Sequence, residues 1–264
     1  MSLFRRWLSS RVSQAESGRS FYPGKVIHGF EVRQSDYLGE FDMQVVRLKH
    51  RPSGANYIHL IREDPNAVFA IGFRTVPTSS NGVPHVLEHT VLCGSERYPV
   101  RDPFFKMLNR SLATYMNAWT AGDHTLYPFA TENPTDYANL RDIYFDAVFR
   151  PLLRRADFLQ EGWRLEHKSD GGLGLKGVVF NEMKGAMGDA DSLLVQHLHS
   201  ILYAGTTYAV NSGGDPLTIP TLTHDQLVAF WRRHYTASNA VFLGYAGDLE
   251  ENCRYLGERL AGIE

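Results

Sequence analysis

No stretch of this sequence stays apolar for the ~18 residues that a membrane-spanning helix requires. Only two cysteines, Cys93 and Cys253, occur in 264 residues. The first absence removes the expectation of a helical membrane span. The second removes a disulfide framework and fits a reducing compartment. An excess of charge of one sign is also missing. Lys and Arg total 27 against 29 Asp and Glu, for a net charge of −2, so neither nucleic acid nor an anionic surface is expected as a bulk partner. There is no internal repeat and no low-complexity tract. What remains is 43% hydrophobic and 21% charged, the composition of a globular chain able to bury a sizeable core. Its length allows one large domain or two small ones.

Residues 1–20 differ in composition from the rest of the chain. They hold Arg5, Arg6, Arg11 and Arg19 against a single acid, Glu16, with serines throughout. Leu3, Phe4, Trp7, Leu8 and Val12 fall on one helical stripe. Arginine and serine excess with amphipathicity describes a mitochondrial transit peptide, the alternative being a frayed terminus. The fold is therefore read from residues 21–264.

Four strand patterns come first, IHGFEV, MQVVRL, NYIHLI and AVFAIGFRTV, separated by Gly, Pro, Asn and Asp turns. A short helix is expected from Pro84, ended by Gly94 and Ser95, then another over 103–113. TYMNAWT and HTLYPFAT read as a hairpin around Ala121, Gly122 and Asp123. Further helices are expected at 134–149, with Asn133 as cap, and at 156–167. A glycine-rich turn at 171–174 precedes helices near 178–188 and 191–203. A long loop at 204–222 leads to a helix at 224–234, a strand at 240–246 and a last helix from Leu249. Strands and helices mix without βαβ alternation, so the fold class is α+β. The final residues, GERLAGIE, continue a helical pattern without a cap, as a truncated chain would.

The organising stretch is HVLEH at 85–89. At about 100° per residue, His85 and His89 sit one turn apart on one helical face, with Glu88 between them in angle. Two imidazoles so spaced can close on one metal ion, and the neighbouring carboxylate can handle a proton of water. This is the inverzincin pattern, the reversed His-Glu-x-x-His zinc helix. Ser79, Ser80 and Asn81 are capping types, Gly82 gives a turn, and Pro84 suits the first helical position. Val86, Leu87, Val91 and Leu92 would bury the flanks. Cys93, four residues past His89, could share the face, but a buried core thiol is the plainer role.

A catalytic zinc site needs three protein ligands. Histidines 124, 197 and 199 compete for the third place with several carboxylates. Glu182 stands among Val178, Val179, Phe180 and Met183, where an unpaired buried charge would be costly. A metal ligand and a buried salt bridge both satisfy that requirement, and the residues alone leave the two open.

Longer motifs extend the pattern. GVPHVLEHTVLCGS, RDPFFKMLNRSLATYMNAWTAGDHTLYPF, FLQEGWRLE, GVVFNEMKGAM and SGGDPLTIPTLT occur in order, and the chain over residues 25–250 resembles the pitrilysin family of inverzincin metallopeptidases, most closely its presequence-protease branch. The resemblance implies a pitrilysin/LuxS-like metallohydrolase domain with a mixed, mainly antiparallel sheet packed with helices. It implies one zinc ion held by His85, His89 and Glu182, with Glu88 as general base. It matches Asn117 and Ala118 to an active-site edge strand that adds an extended peptide to the sheet, where the residues alone give an ordinary strand pair. It matches Glu161 to a glutamate near the zinc, supporting a ligating histidine or making a surface salt bridge. The implied protein is a metalloendopeptidase of the mitochondrial matrix that degrades unfolded peptides such as cleaved presequences. Members of this branch are much longer, with four domains in two closing halves. This chain would then be the first, zinc-bearing domain, and a C-terminal half would act with it in cis or in trans. The alternatives are a catalytically incomplete zinc- or peptide-binding fragment and a hydrolase of non-peptide substrates.

Overall fold

A computed structural model describes residues 21–101, 103–169 and 171–263, so the leader expected at 1–20 lies outside the described residues. The first half of the chain lays down strands β1 (Val26–Ile27), β2 (Phe30–Leu38), β3 (Met43–His50), β4 (Asn56–Ile61) and β5 (Ala67–Arg74). Alternation drives them inward by turns. In β3, for example, Val46 and Leu48 are buried while Arg47 and Lys49 are exposed. Helix α1 (Val83–Val91) and the short α2 (Pro103–Leu108) come next, then β6 (Ala113–Met116), β7 (Trp119–Thr120) and β8 (His124–Thr131). Among the described residues these strands and β11 (Ala240–Tyr245) form a nine-stranded sheet in the order β1-β2-β3-β4-β11-β5-β8-β6, with β7 also on β8. Every pairing is antiparallel except β11 on β4. The fold is thus α+β with a mixed, mainly antiparallel sheet.

Helix α3 (Pro134–Phe149) covers the centre of the sheet. The Asn133 side chain accepts from the Thr135 and Asp136 amides, and Pro134 opens the first turn. Its rings meet those of the strands. Phe149 lies edge-on to Phe73 at 5.4 Å, Phe145 is stacked on Phe242 at 6.5 Å, and Tyr144 is 5.4 Å from Phe129. All six rings are buried, and each contributes ~1.5–3 kcal/mol by leaving water. Helix α8 (Leu249–Leu260), capped by Asp248, flanks α3 through Tyr255, which is 5.9 Å from Phe145.

Several expectations need correction. The helix over 103–113 stops at Leu108, because the chain turns and Leu112 donates its amide to Asp136 before β6 begins. The stretch 156–167 is divided. Helix α4 (Arg155–Glu161) ends at Gly162, and Arg164–His167 is strand β9, paired with β10 (Leu173–Lys176) in a two-stranded ribbon. The glycine-rich run at 171–174 thus enters that ribbon. Helices α5 (Val178–Ala186), α6 (Ala190–Leu202) and α7 (His224–His234) keep closely to the expected ranges, and α7 carries a capping box from Thr223 and Gln226. The last helix ends at Leu260, inside the GERLAGIE stretch rather than running past it.

Candidate metal centre

Helix α1 is buried along eight of its nine residues, with Val86, Leu87 and Val91 fully enclosed. Its start is set by glycine. Gly82 takes φ +70°, and a Cβ there would meet the Gly213 carbonyl oxygen at 2.9 Å and the Gly214 Cα at 3.0 Å. The Ser-Gly-Gly-Asp-Pro loop therefore presses directly on the helix N-terminus, pinned by the Asp215 amide donating to the Ser80 carbonyl at 2.7 Å. Asn81 accepts from the Val83 amide, and no side chain caps Gly82.

The two histidines are held from behind in the same way. His85 Nδ1 lies 3.0 Å from the Gly213 carbonyl oxygen, and His89 Nδ1 lies 3.2 Å from Glu161 Oε2. A carbonyl accepts only, so Nδ1 of His85 is the donor and Nε2 is turned to the opposite side. Both Nε2 atoms approach one carboxylate oxygen, Glu182 Oε2, at 3.6 Å from His85 and 3.8 Å from His89. The imidazole centroids are 5.0 Å apart and inclined at 75°. Ligand atoms of His85, His89 and Glu182 all lie within 4.8 Å of one another, the one such triad among the described residues that could hold a metal ion. Ligands at ~2.0–2.1 Å around a tetrahedral ion are separated by about 3.3 Å, so small side-chain movements would bring these three to bonding distance. Two imidazoles and a carboxylate suit a divalent first-row metal.

Glu161 arrives from the last residue of α4 and Glu182 from the second turn of α5. The two helices come together where Gly162 and Gly177 touch, since a Cβ on Gly177 would collide with the Gly162 carbonyl. Glu161 is only 5% exposed, so its contact with His89 is a buried one and not a surface salt bridge. Glu182 is the reverse. Its side chain is 53% exposed, because α5 buries only Val179 and Phe180, and the expectation of a carboxylate embedded in an apolar setting is wrong. Proximity to two imidazoles, and not burial, is what singles it out.

Glu88 is buried beside the pair and receives a 2.6 Å hydrogen bond from the Thr120 hydroxyl. Burial pushes its carboxyl up, and the net shift stays upward although Thr120 and both histidines favour the charged form. For His89 burial works against the imidazolium, but the Glu161 hydrogen bond and three nearby carboxylates outweigh it and raise the pKa. Burial also opposes the Glu161 carboxylate, and its hydrogen bonds with His89 and Gln160 reverse that, lowering it.

All four motif residues line one cavity of about 590 Å³, which also reaches Asn117 and Ala118. These two sit between β6 and β7 at the margin of the sheet, where the Asn117 amide donates to the Pro128 carbonyl and Tyr144 donates to the Asn117 carbonyl. Strand β8 is the one sheet neighbour of this margin among the described residues, so its other side faces the cavity without a partner strand. The competing histidines lie elsewhere. His124 pairs with Asp123 at 2.7 Å, while His197 and His199 are exposed on α6. Cys93 is buried, its thiol reaching the His89 carbonyl at 3.5 Å. Two further participants, Gly213 and Thr120, escape a reading of the sequence. The first lies in the SGGDPLTIPTLT motif and the second directly after Trp119, but nothing local distinguishes a carbonyl or a strand hydroxyl that reaches across the fold.

The model of the insulinase family, peptidase family M16, matches residues 67–168, which hold α1 and Glu161. The chain is 51% identical over 261 residues to the presequence protease, mitochondrial, of Schizosaccharomyces pombe, covering 97% of this chain and 25% of that protein. The mouse protein of the same name is 52% identical over 259 residues, with 96% and 25% covered. That of Xenopus tropicalis is 53% identical over 237, with 88% and 23% covered. The chain thus spans about a quarter of the length of the curated relatives it matches. Its fold is that of crystalline pitrilysin, with a TM-score of 0.62 over 88% of this chain and 24% of the other, at 18% identity. An inverted zinc-helix motif, the α+β frame that holds it, and long stretches of half-identical sequence agree: the chain carries, over residues 67–168, a domain of the insulinase family, peptidase family M16.

Proposed function

We propose that this domain carries the zinc-dependent endopeptidase centre of a protein that degrades unfolded peptides, cleaved mitochondrial presequences among them. The observation that carries the reading is the convergence of His85, His89 and Glu182 on one point, with the buried Glu88 alongside. A zinc ion bound by those three residues would supply Lewis acidity, acidifying water and polarising the scissile carbonyl. The Gly213 carbonyl and the Glu161 carboxylate hold the two imidazoles by Nδ1, fixing ring orientation and the nitrogen offered. Glu88 takes the proton of the attacking water and returns it to the leaving amine. Asn117 and Ala118 receive the peptide as an added strand along the margin next to the cavity. The half-exposed Glu182 side chain leaves that margin open to an extended chain.

The names of the relatives supply presequences as the substrate class and the mitochondrion as the compartment; both are extended to this chain, with the matrix as the proposed space within that compartment. Residues 1–20 would serve as its targeting leader. Because the relatives are longer, a C-terminal half acting in cis or in trans is part of the proposal, and it would enclose the substrate. Cleavage of a quenched fluorescent presequence peptide by the zinc-loaded chain tests the reading. Glu88→Gln should retain stoichiometric zinc and lose turnover. Retained zinc with undiminished turnover would remove Glu88 from the mechanism.

A further inference from the structure

Behind Glu88 lies a file of hydroxyls to which the proposed mechanism gives no role. Thr120 Oγ1 is 2.6 Å from Glu88 Oε2, Thr125 Oγ1 is 3.2 Å from Thr120 Oγ1, and Thr75 Oγ1 is 2.8 Å from Thr125 Oγ1. Thr75 and Thr125 are fully buried, so water does not compete for these bonds. An ionised carboxylate only accepts, so the Thr120 proton must point at Glu88. Thr120 can then only accept from Thr125, and Thr125 from Thr75. Each hydroxyl has one proton, and this order uses all three.

The backbone explains why the hydroxyl is there. The regular ladder with β8 is interrupted at Asn117 and Ala118, where the Asn117 amide still donates to the Pro128 carbonyl, and resumes for two residues, Trp119 opposite Leu126 and Thr120 opposite Thr125. Alternation turns Trp119 outward, 40% exposed, and Thr120 inward to α1. Glu88 Oε1 accepts no hydrogen bond from the described residues, which leaves that oxygen for the proton of a water in the cavity.

We propose that Thr120 is the positioning residue of Glu88: its hydroxyl, oriented by Thr125 and Thr75, fixes one carboxylate oxygen and the rotamer so that the other oxygen faces the cavity. Thr120 stands three residues after Asn117, so the segment assigned to seat the peptide also holds the base. This rests on Glu88 acting as the base. The plainer alternative is a cross-strand Thr–Thr pair that only supports the sheet. That alternative requires no dependence on Glu88.

A double-mutant cycle on the zinc-loaded chain separates the two. Thr120→Val keeps the shape and removes the hydroxyl. It should lower the Tm by about 2–4 °C, since it strands a buried carboxylate, and by half that or less when combined with Glu88→Gln. On the fluorescent peptide, Thr120→Val should lower kcat by about 10- to 100-fold with KM within about twofold and zinc content unchanged. Thr120→Ser should recover kcat to within about threefold of the parent. Equal Tm losses in both backgrounds would overturn the proposal, as would a Thr120→Val kcat within about twofold of the parent. If the chain alone shows no turnover, the thermal cycle decides. Undiminished turnover in Glu88→Gln would remove the base assignment, while a surviving thermal coupling would still report the Thr120–Glu88 bond.

Discussion

Helices α1 and α6 have similarly apolar sequences and opposite fates. Eight of the nine residues of α1 are buried, among them the polar His85 and Glu88. None of the thirteen residues of α6 is buried, and Leu193, Leu194, Val195, Leu198, Ile201 and Leu202 are 43–71% exposed. The difference lies in what surrounds them. Helix α1 is wedged among α4, α5, α7 and β7, whereas α6 leans mainly on the short turn at Thr207–Ala209. An apolar stripe therefore states that a helix has a face to cover, but not what covers it. The proposed metal site draws on both conditions. Its two histidines come from the enclosed helix and its carboxylate from α5, which is half open.

That contrast can be broken most sharply in the middle of α1. Leu87→Ala should cost ~2–5 kcal/mol in urea unfolding, because a fully buried side chain leaves a cavity among tightly held neighbours. A cost below ~1 kcal/mol would mean that α1 is not rigidly enclosed. The next effect is ionic. Burial lowers the pKa of His59 to about 4, with Asp248 opposing only in part. The unfolded chain therefore takes up this proton first, and stability present above pH ~6.5 should fall as the pH drops toward about 4, by about 3 kcal/mol in all. Burial lowers His50 and His234 as well, with the same sign, while His89 is raised and acts in the opposite sense. His59→Phe should flatten the slope in that window, and an unchanged slope would assign it to other groups. Glu161→Gln should weaken zinc binding by ~10- to 100-fold in a competition titration with a chelator, since it loosens the ring behind the metal face. At the small end, Leu194→Lys on α6 should change the unfolding free energy by no more than ~0.5 kcal/mol. A loss above ~1.5 kcal/mol would reveal that α6 is already packed within this chain.

Local signals explain which elements could be read in advance. The start of α3 is marked in sequence by Asn133 and Pro134, because a cap is a chemical feature of single residues, and the structure shows the start of α7 set likewise by Thr223 and Gln226. The β9–β10 ribbon escaped because Leu165, Leu173 and Leu175 point to solvent, so the alternation that marks a half-buried strand is missing. Within the site, the i, i+4 histidines and Glu88 were legible from spacing alone. Glu182 stands out in sequence for its apolar neighbours on α5, yet it lies at the open side of that helix and meets the histidines across the fold. The Gly213 carbonyl and the Thr120 hydroxyl carry no signature at all. Their roles exist only once segments far apart in sequence have come together.

The position of β11 has a consequence for how such a chain comes into being. Its six residues lie between β4 and β5, so two strands only five residues apart in sequence are bridged by one that arrives some 170 residues later. Until residue 245 has emerged from a ribosome or an import channel, the facing backbone edges of β4 and β5 have no strand between them. Vectorial folding from the N-terminus therefore cannot close the central sheet. Nascent chains released short of β11 should hold two unsatisfied edges at the middle of the future core, the state most prone to capture by chaperones or to aggregation. Completion of this domain is a late and all-at-once event, timed by the delivery of a single strand.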